Sequence, residues 1–315
     1  MRSPLAKVLV VVLGWPTVLL IVIVAYEWYL DEFYVPVVPP VSRERVQHPN
    51  YHPVAEEALA RLDALPGAER EALLAGLRAT IVPVATWLDG IDRAGFSLLC
   101  LGEDHDAHTR RFLADRVFPA LRLDALHLET TRAGLADVER RLRLGRDYAP
   151  LLGADIAGIL RAARQANPAL AVTAIEVTEQ QRKDRLRLDG GSREDSLVAN
   201  LEAAYVSGGR NAVLLGALHC KDEAGRLYER IRRRLSPGVA ERAVNLRILG
   251  EHQDGPLEAF VYFLDEVAVT PGDFALVDTD ALPPMIQSWF QLLWHGGFGK
   301  YRAVLVFRVE TARRG

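Results

Sequence analysis

The sequence predicts an α/β fold: a mostly parallel sheet with crossover helices, an antiparallel extension at the C-terminal end and one N-terminal transmembrane helix. Three observations carry that expectation. Short apolar runs alternate with runs of helical period through the middle of the chain, the sequence form of strands joined by crossover helices. A long uncharged stretch stands near the start. Beyond residue 250 strand-like runs succeed one another with no long helix between them except near 282–294, which suits an antiparallel addition to the main sheet.

The chain has 315 residues, half of them hydrophobic, so it can bury a sizeable core. Its net charge is -3, with 38 basic and 41 acidic residues, which gives no electrostatic footprint for nucleic acid. Residues 8–26, VLVVVLGWPTVLLIVIVAY, carry no charge and match the roughly 20 residues that span a bilayer as a helix. Arg2 and Lys7 precede this run, and Glu27, Asp31 and Glu32 follow it, so the N-terminus is expected in the cytoplasm. The run is longer than a signal-peptide core, and no small-x-small cleavage site follows. A single-pass protein of the inner (cytoplasmic) membrane with a periplasmic, extracytoplasmic body is therefore expected.

Residues 1–30 form the anchor and 31–53 a spacer, VPVVPPVSRERVQHPNYHP, whose prolines block helix and keep it extended. A helical pair is expected over 54–95, with Ala and Leu at helical spacing in 54–65 and 68–80 and LPGAE between them. The α/β core takes 96–250. Its strands are FSLLCLG (96–102), ALHLET (125–130), AVTAIEV (171–177), NAVLLGALH (211–219) and VNLRIL (244–249), with helical runs near 109–122, 134–143, 153–166, 194–206 and 222–235. The run at 194–206 has clear start signals, Ser192 as cap and Asp195 three residues on. The segment 251–315 adds EAFVYFLDEVAV (258–269), DFALVDT (273–279) and YRAVLVFRVE (301–310), all strand-like. Two cysteines make no disulfide framework: Cys100 reads as a buried thiol, and Cys220, beside His219, as a buried thiol or a ligand.

In a parallel sheet the ends of all strands meet along one edge, where open α/β folds place their ligands. Here the first strand ends in Glu103, Asp104 and His105, the second in Glu129, the third in Glu176 with Glu179 just beyond, and the fourth in His219. "GEDH" and "GALH" are both Gly-x-x-His, with glycines at 102 and 216 that allow a tight turn as each strand finishes. Neighbouring strands lie about 4.8 Å apart, so His105 and His219 can cooperate only if the first and fourth strands sit close together. His127, inside the second strand, reads as structural, and Asp106 and His108 as cap or surface residues of the next helix.

"LGEDH" followed by a helix, "LHLET" closing a strand, "SREDSLVANLEAA" opening a later helix and "NAVLLGALH" as a closing strand together resemble the superfamily of Tiki/TraB, erythromycin-esterase-like and ChaN-like haem-binding proteins. The resemblance covers about residues 96–220. It implies two Gly-x-x-His histidines, His105 and His219, facing glutamates in a cleft, with Glu103 in the first motif, Glu129 at the second strand end and Arg193 in "SREDSLVAN" turned to the same cleft. Members include metal-dependent peptidases, esterases in which Glu and His activate water, and haem binders. His105 follows Glu103 by two residues and departs from the Gly-Glu-x-x-His spacing of the esterase branch, so macrolide hydrolysis is not expected.

On this reading His105, His219 and Glu129 are the ligands of a divalent metal (zinc, manganese or cobalt), with an open position for water. Glu103 or Glu129 is the base, Arg193 the oxyanion or substrate-carboxylate holder, and Asp104 and Glu176 are further candidates. Without metal, Glu103 and His105 can activate water themselves. The expected function is a membrane-anchored extracytoplasmic hydrolase of a peptide or ester. The alternatives are a haem or porphyrin binder using a histidine as axial ligand, or an inactive scaffold.

Overall fold

The computed structural model describes residues 52–144, 154–188, 192–251, 255–269, 272–277 and 300–308. The anchor at 8–26, almost all of the spacer and the helix expected near 282–294 lie outside these residues. Among the described residues no helix is long and apolar enough to cross a membrane.

The helical pair is present as α1 (His52–Asp63) and α2 (Gly67–Thr80). A three-residue strand, β1 (Ile81–Pro83), and helix α3 (Val84–Ala94) follow it, neither of them expected. The core then runs β2 (Leu98–Glu103), α4 (Ala107–Phe112), β3 (Ala125–Leu128), α5 (Arg132–Arg143), α6 (Ala154–Ala166), β4 (Ala171–Ala174), α7 (Glu179–Leu188), α8 (Arg193–Ala204), β5 (Asn211–Gly216), α9 (Leu227–Arg234), α10 (Pro237–Ala240) and β6 (Ala243–Gly250). Wider and then tighter helical turns over 113–120 continue α4 toward β3. The C-terminal part is α11 (Gly255–Glu266), β7 (Phe274–Val277) and β8 (Ala303–Phe307).

The eight strands form one sheet in the order β1-β7-β8-β6-β2-β5-β3-β4. Strands β8, β6, β2, β5, β3 and β4 pair in parallel, and β7 runs antiparallel to both of its neighbours. The expected antiparallel extension is present in part: β7 adds antiparallel to β8, whereas β8 itself continues the parallel sheet. The run at 258–269 is corrected, from strand to helix α11. Leu257, Phe260, Val261 and Leu264 recur at helical spacing and are all buried, which outweighs the strand preference of the valines and aromatics.

Alternation along each strand sorts side chains to two faces. On one face Leu99 and Leu101 of β2, Leu126 and Leu128 of β3, and Ala212 and Leu214 of β5 pack under α3, α5 and α6. On the other, Leu98, Val213 and Leu215 meet Leu197, Val198 and Leu201 of α8, and Leu227 and Ile231 of α9. Further along, α1, α2 and α11 cover β6, β7 and β8. Each fully buried leucine contributes roughly 1.5–3 kcal/mol.

The cysteine expectation is overturned. Cys100 and Cys220 form a disulfide that joins β2 to the turn after β5 across 120 residues, with their Cα atoms 5.5 Å apart. The adjacency of β2 and β5 creates the pair, and spacing in the chain hides it.

Candidate active site

The sheet order meets the condition set by the two histidines. Strands β2 and β5 are parallel neighbours with Glu103 opposite Gly216, and β3 lies on the other side of β5. The carboxyl ends of β2, β5 and β3 thus lie side by side at one edge of the sheet.

The first corner is built around a buried carboxylate. Glu103, the last residue of β2, is only 2 % exposed. It accepts a two-pronged bond from Arg110 of α4, with Nε 3.0 and 3.1 Å from its oxygens and Nη2 2.9 Å from Oε1. The chain then turns at His105, whose φ is +56°, a left-handed conformation that costs energy outside glycine. Asp106 caps α4 by accepting from the backbone N–H groups of His108 and Thr109. Nδ1 of His105 lies 3.1 Å from Glu103 Oε1 and 3.2 Å from Arg110 Nη2; with the Nδ1 proton assigned to the Glu103 carboxylate, Nε2 is left for chemistry. Hydrogen bonding to Glu103 raises the His105 pKa above its ordinary 6.5, against the opposing effect of burial. The side chain is 47 % exposed and reachable from solvent.

The second corner is held from behind. Strand β5 ends at Gly216, and a tight turn over Ala217–Cys220 presents His219. The disulfide fixes Cys220, Asn245 donates to the Cys220 carbonyl at 2.7 Å, and the Tyr301 hydroxyl donates to the Ala217 carbonyl at 2.9 Å. Arg193 Nη1 is 3.0 Å from His219 Nε2. A guanidinium only donates, so this Nε2 accepts, and the protonated Nδ1 donates to Glu194 at 2.6 Å. Arg193 and Glu194 are the first residues of α8, whose start is fixed by the capping box of Ser192 and Asp195.

Glu129 joins the two corners. Its Oε2 accepts from the backbone N–H of Gly216 at 2.7 Å and stands 3.7 Å from His105 Nε2. Its Oε1 accepts from Arg193 Nη2 at 2.6 Å and stands 3.5 Å from His219 Nε2. Arg193 also binds Glu176 through Nε at 3.2 Å and Nη2 at 2.5 Å. These bonds, that to Glu176 first, hold the guanidinium above its ordinary range. Burial pushes Glu176 upward, but Arg193 and the Val177 N–H outweigh it and the carboxyl settles below its usual range.

Glu103, His105, Glu129, Glu176, Arg193 and His219 are thus brought together. Asp104 turns instead toward Arg247 of β6 at 3.6 Å, and Glu179 pairs with Arg182 on the surface. His127 is structural: it is fully buried, contacts Thr173 and Asn211, and burial lowers its pKa to about 4. Sequence reasoning missed Arg110 and Glu194. Arg110 follows Glu103 by seven residues, and only the fold shows that α4 leans back over β2. Glu194 was signalled only by standing next to Arg193.

No family model, curated protein or solved structure matches this chain.

Of the expected metal ligands, Glu129 and His219 both contact the guanidinium of Arg193. Arg193 already brings a positive charge to the meeting point of Glu129 and His219 and takes the Nε2 lone pair of the latter. Among the described residues no group of three or more His, Cys, Asp or Glu side chains is placed to hold a metal ion.

Proposed function

We propose that the protein is a hydrolase of esters or peptides in which His105 activates water and Arg193 receives the negative charge of the tetrahedral intermediate. One observation carries the reading: two carboxylate-backed imidazoles meet on a single glutamate beside an arginine. His105 Nε2 and Glu129 Oε2 stand 3.7 Å apart, and a water bound beside the pair can donate to both. His105 takes a proton from this water as its oxygen attacks the carbonyl carbon, then returns the proton to the leaving alkoxide or amine. Glu103, itself held by Arg110, accepts from the Nδ1–H of His105 and so orients its ring.

Arg193 has five N–H groups. Four serve Glu176, Glu129 and His219, and the remaining Nη1–H is available to the oxyanion. His219, backed by Glu194, positions that guanidinium. We further place the body outside the cytoplasm behind an N-terminal anchor. The uncharged run at 8–26 supports this, as does a disulfide, a bond typical of oxidising compartments.

The test uses full-length protein in detergent with 4-nitrophenyl acetate and a quenched-fluorescence peptide pool. Turnover that survives a chelator, and is lost in both His105→Ala and His219→Ala with the thermal melt unchanged, is the expected result. Unaltered turnover in both variants defeats the proposal, and turnover only with added zinc, manganese or cobalt defeats its metal-free form.

A further inference from the structure

We propose that the open edge of β4 is a docking ledge for an extended peptide chain that leads into the cleft; this deepens the hydrolase reading and rests on it. Among the described residues, strand β4 is the last in the sheet and pairs only with β3. The N–H groups of Ala171 and Ile175 point inward, to the carbonyls of Asp124 and Leu128. Backbone direction alternates along a strand, so the N–H and C=O groups of Val172 and Ala174 point away from the sheet. Among the described residues no strand pairs with them.

A groove of about 450 Å³ lies beside these groups. It is lined by Leu135 and Ala136 of α5 and by Asn200 and Ala203 of α8, helices that cover opposite faces of the sheet. A groove shared by both helices can only run along the sheet edge. Val172 and Ala174 form its floor, and Glu176, bound to Arg193, lines it as well. A chain lying on the ledge therefore continues directly to the groups assigned to hydrolysis.

The chemistry selects the occupant. Outward N–H and C=O groups on alternate residues match the two-residue repeat of an extended peptide backbone, and strand addition to an exposed edge takes affinity from main-chain bonds. A small ester offers no such repeat. The apolar walls of Leu135, Ala136 and Ala203 accept the alternate side chains of an added strand.

The experiment measures binding apart from turnover. A fluorescein-labelled pool of random octapeptides, and the same pool N-methylated at alternate backbone positions, are titrated by anisotropy against the full-length His105→Gln protein. Val172→Pro or Ala174→Pro is then added; each removes one outward N–H and leaves the bonds to β3 in place, a substitution that edge strands accept. The expected result is weaker binding by roughly fivefold to tenfold per lost hydrogen bond. Val172→Thr, which keeps the N–H, binds as the parent does.

Ester turnover of the proline variants with His105 intact reports on the fold and stays unchanged. Equal affinity for the methylated and unmethylated pools, or affinity unaffected by both prolines, overturns the ledge. Loss of peptide affinity without any turnover in the parent keeps the ledge and overturns only the hydrolytic reading.

Discussion

The two Gly-x-x-His corners share a sequence pattern and are built in opposite ways. At the first, the histidine is half exposed, sits on a left-handed residue and is backed by a glutamate of its own strand. At the second, the histidine is 17 % exposed, sits in a turn tied by a disulfide, and is backed by a glutamate from a distant helix. The glycines differ too. A Cβ on Gly102 would stand 2.9 Å from the Ala217 Cα and the Leu246 carbonyl oxygen, both backbone atoms, whereas on Gly216 it would stand 2.9 Å from His105 Nε2. One glycine lets strands and turn approach, and the other makes room for the reacting imidazole. The contrast assigns chemistry to the exposed corner and positioning to the enclosed one.

The largest effect should separate those roles. His105→Ala removes the base and is expected to lower kcat/KM for an ester by about 10²–10⁴. His219→Ala leaves Arg193 in place but less well aimed, and a loss nearer 10² is expected. A reversed order, with His219→Ala the more damaging, would exchange the assignments.

Removing the disulfide tests how the enclosed corner is held. The Cys100→Ala, Cys220→Ala double variant loses a cross-link over 120 residues and is expected to be about 2–5 kcal/mol less stable by denaturant titration. Since Cys220 follows His219 directly, kcat should fall as well at temperatures where the fold persists. Unchanged stability would mean that Asn245 and Tyr301 hold the turn by themselves.

The glycines give a smaller and sharper comparison. Gly102→Ala forces apart two backbone segments and should cost roughly 1–3 kcal/mol of stability. Gly216→Ala meets the tip of the His105 side chain rather than backbone, so the melt should move little while the imidazole is displaced and kcat/KM drops about 10²-fold. The idea fails if both substitutions act on stability alone.

Much of this plan could be read from the chain. The apolar runs ending in Glu103, Glu129 and His219 gave the strands and the edge, because parallel strands bury both faces and leave polar groups to their ends. Ser192 and Asp195 marked α8. Strand order could not be read: that β2 and β5 are neighbours depends on packing between segments far apart in sequence. The same adjacency concealed the Cys100–Cys220 bond. Glu194 and Arg110 were hidden because each acts from a helix whose tilt no local pattern encodes. Helix α11 was misread since Phe260, Val261 and Phe263 favour strands, although their spacing with Leu257 and Leu264 is helical.

The smallest expected effect is a shift along the pH axis. His105 works as a base when neutral, so kcat/KM should rise with pH and reach half its limit above 6.5, as the raised pKa requires. Glu103→Gln removes the leading cause of that rise, and the midpoint should move to lower pH. The contribution of His105 to stability has the opposite sense: it is complete below 6.5 and is lost as pH climbs through the raised value. His127 runs the other way again. Its folded pKa of about 4 lies below the unfolded 6.5, so stability falls as pH drops from 6.5 to about 4, where the unfolded chain binds the proton that the core refuses. Proton NMR titration of the two imidazoles in the folded protein checks both directions. An identical acid limb in wild type and Glu103→Gln would leave the exposed corner without its carboxylate backing, and the two corners would no longer differ in the way their geometry suggests.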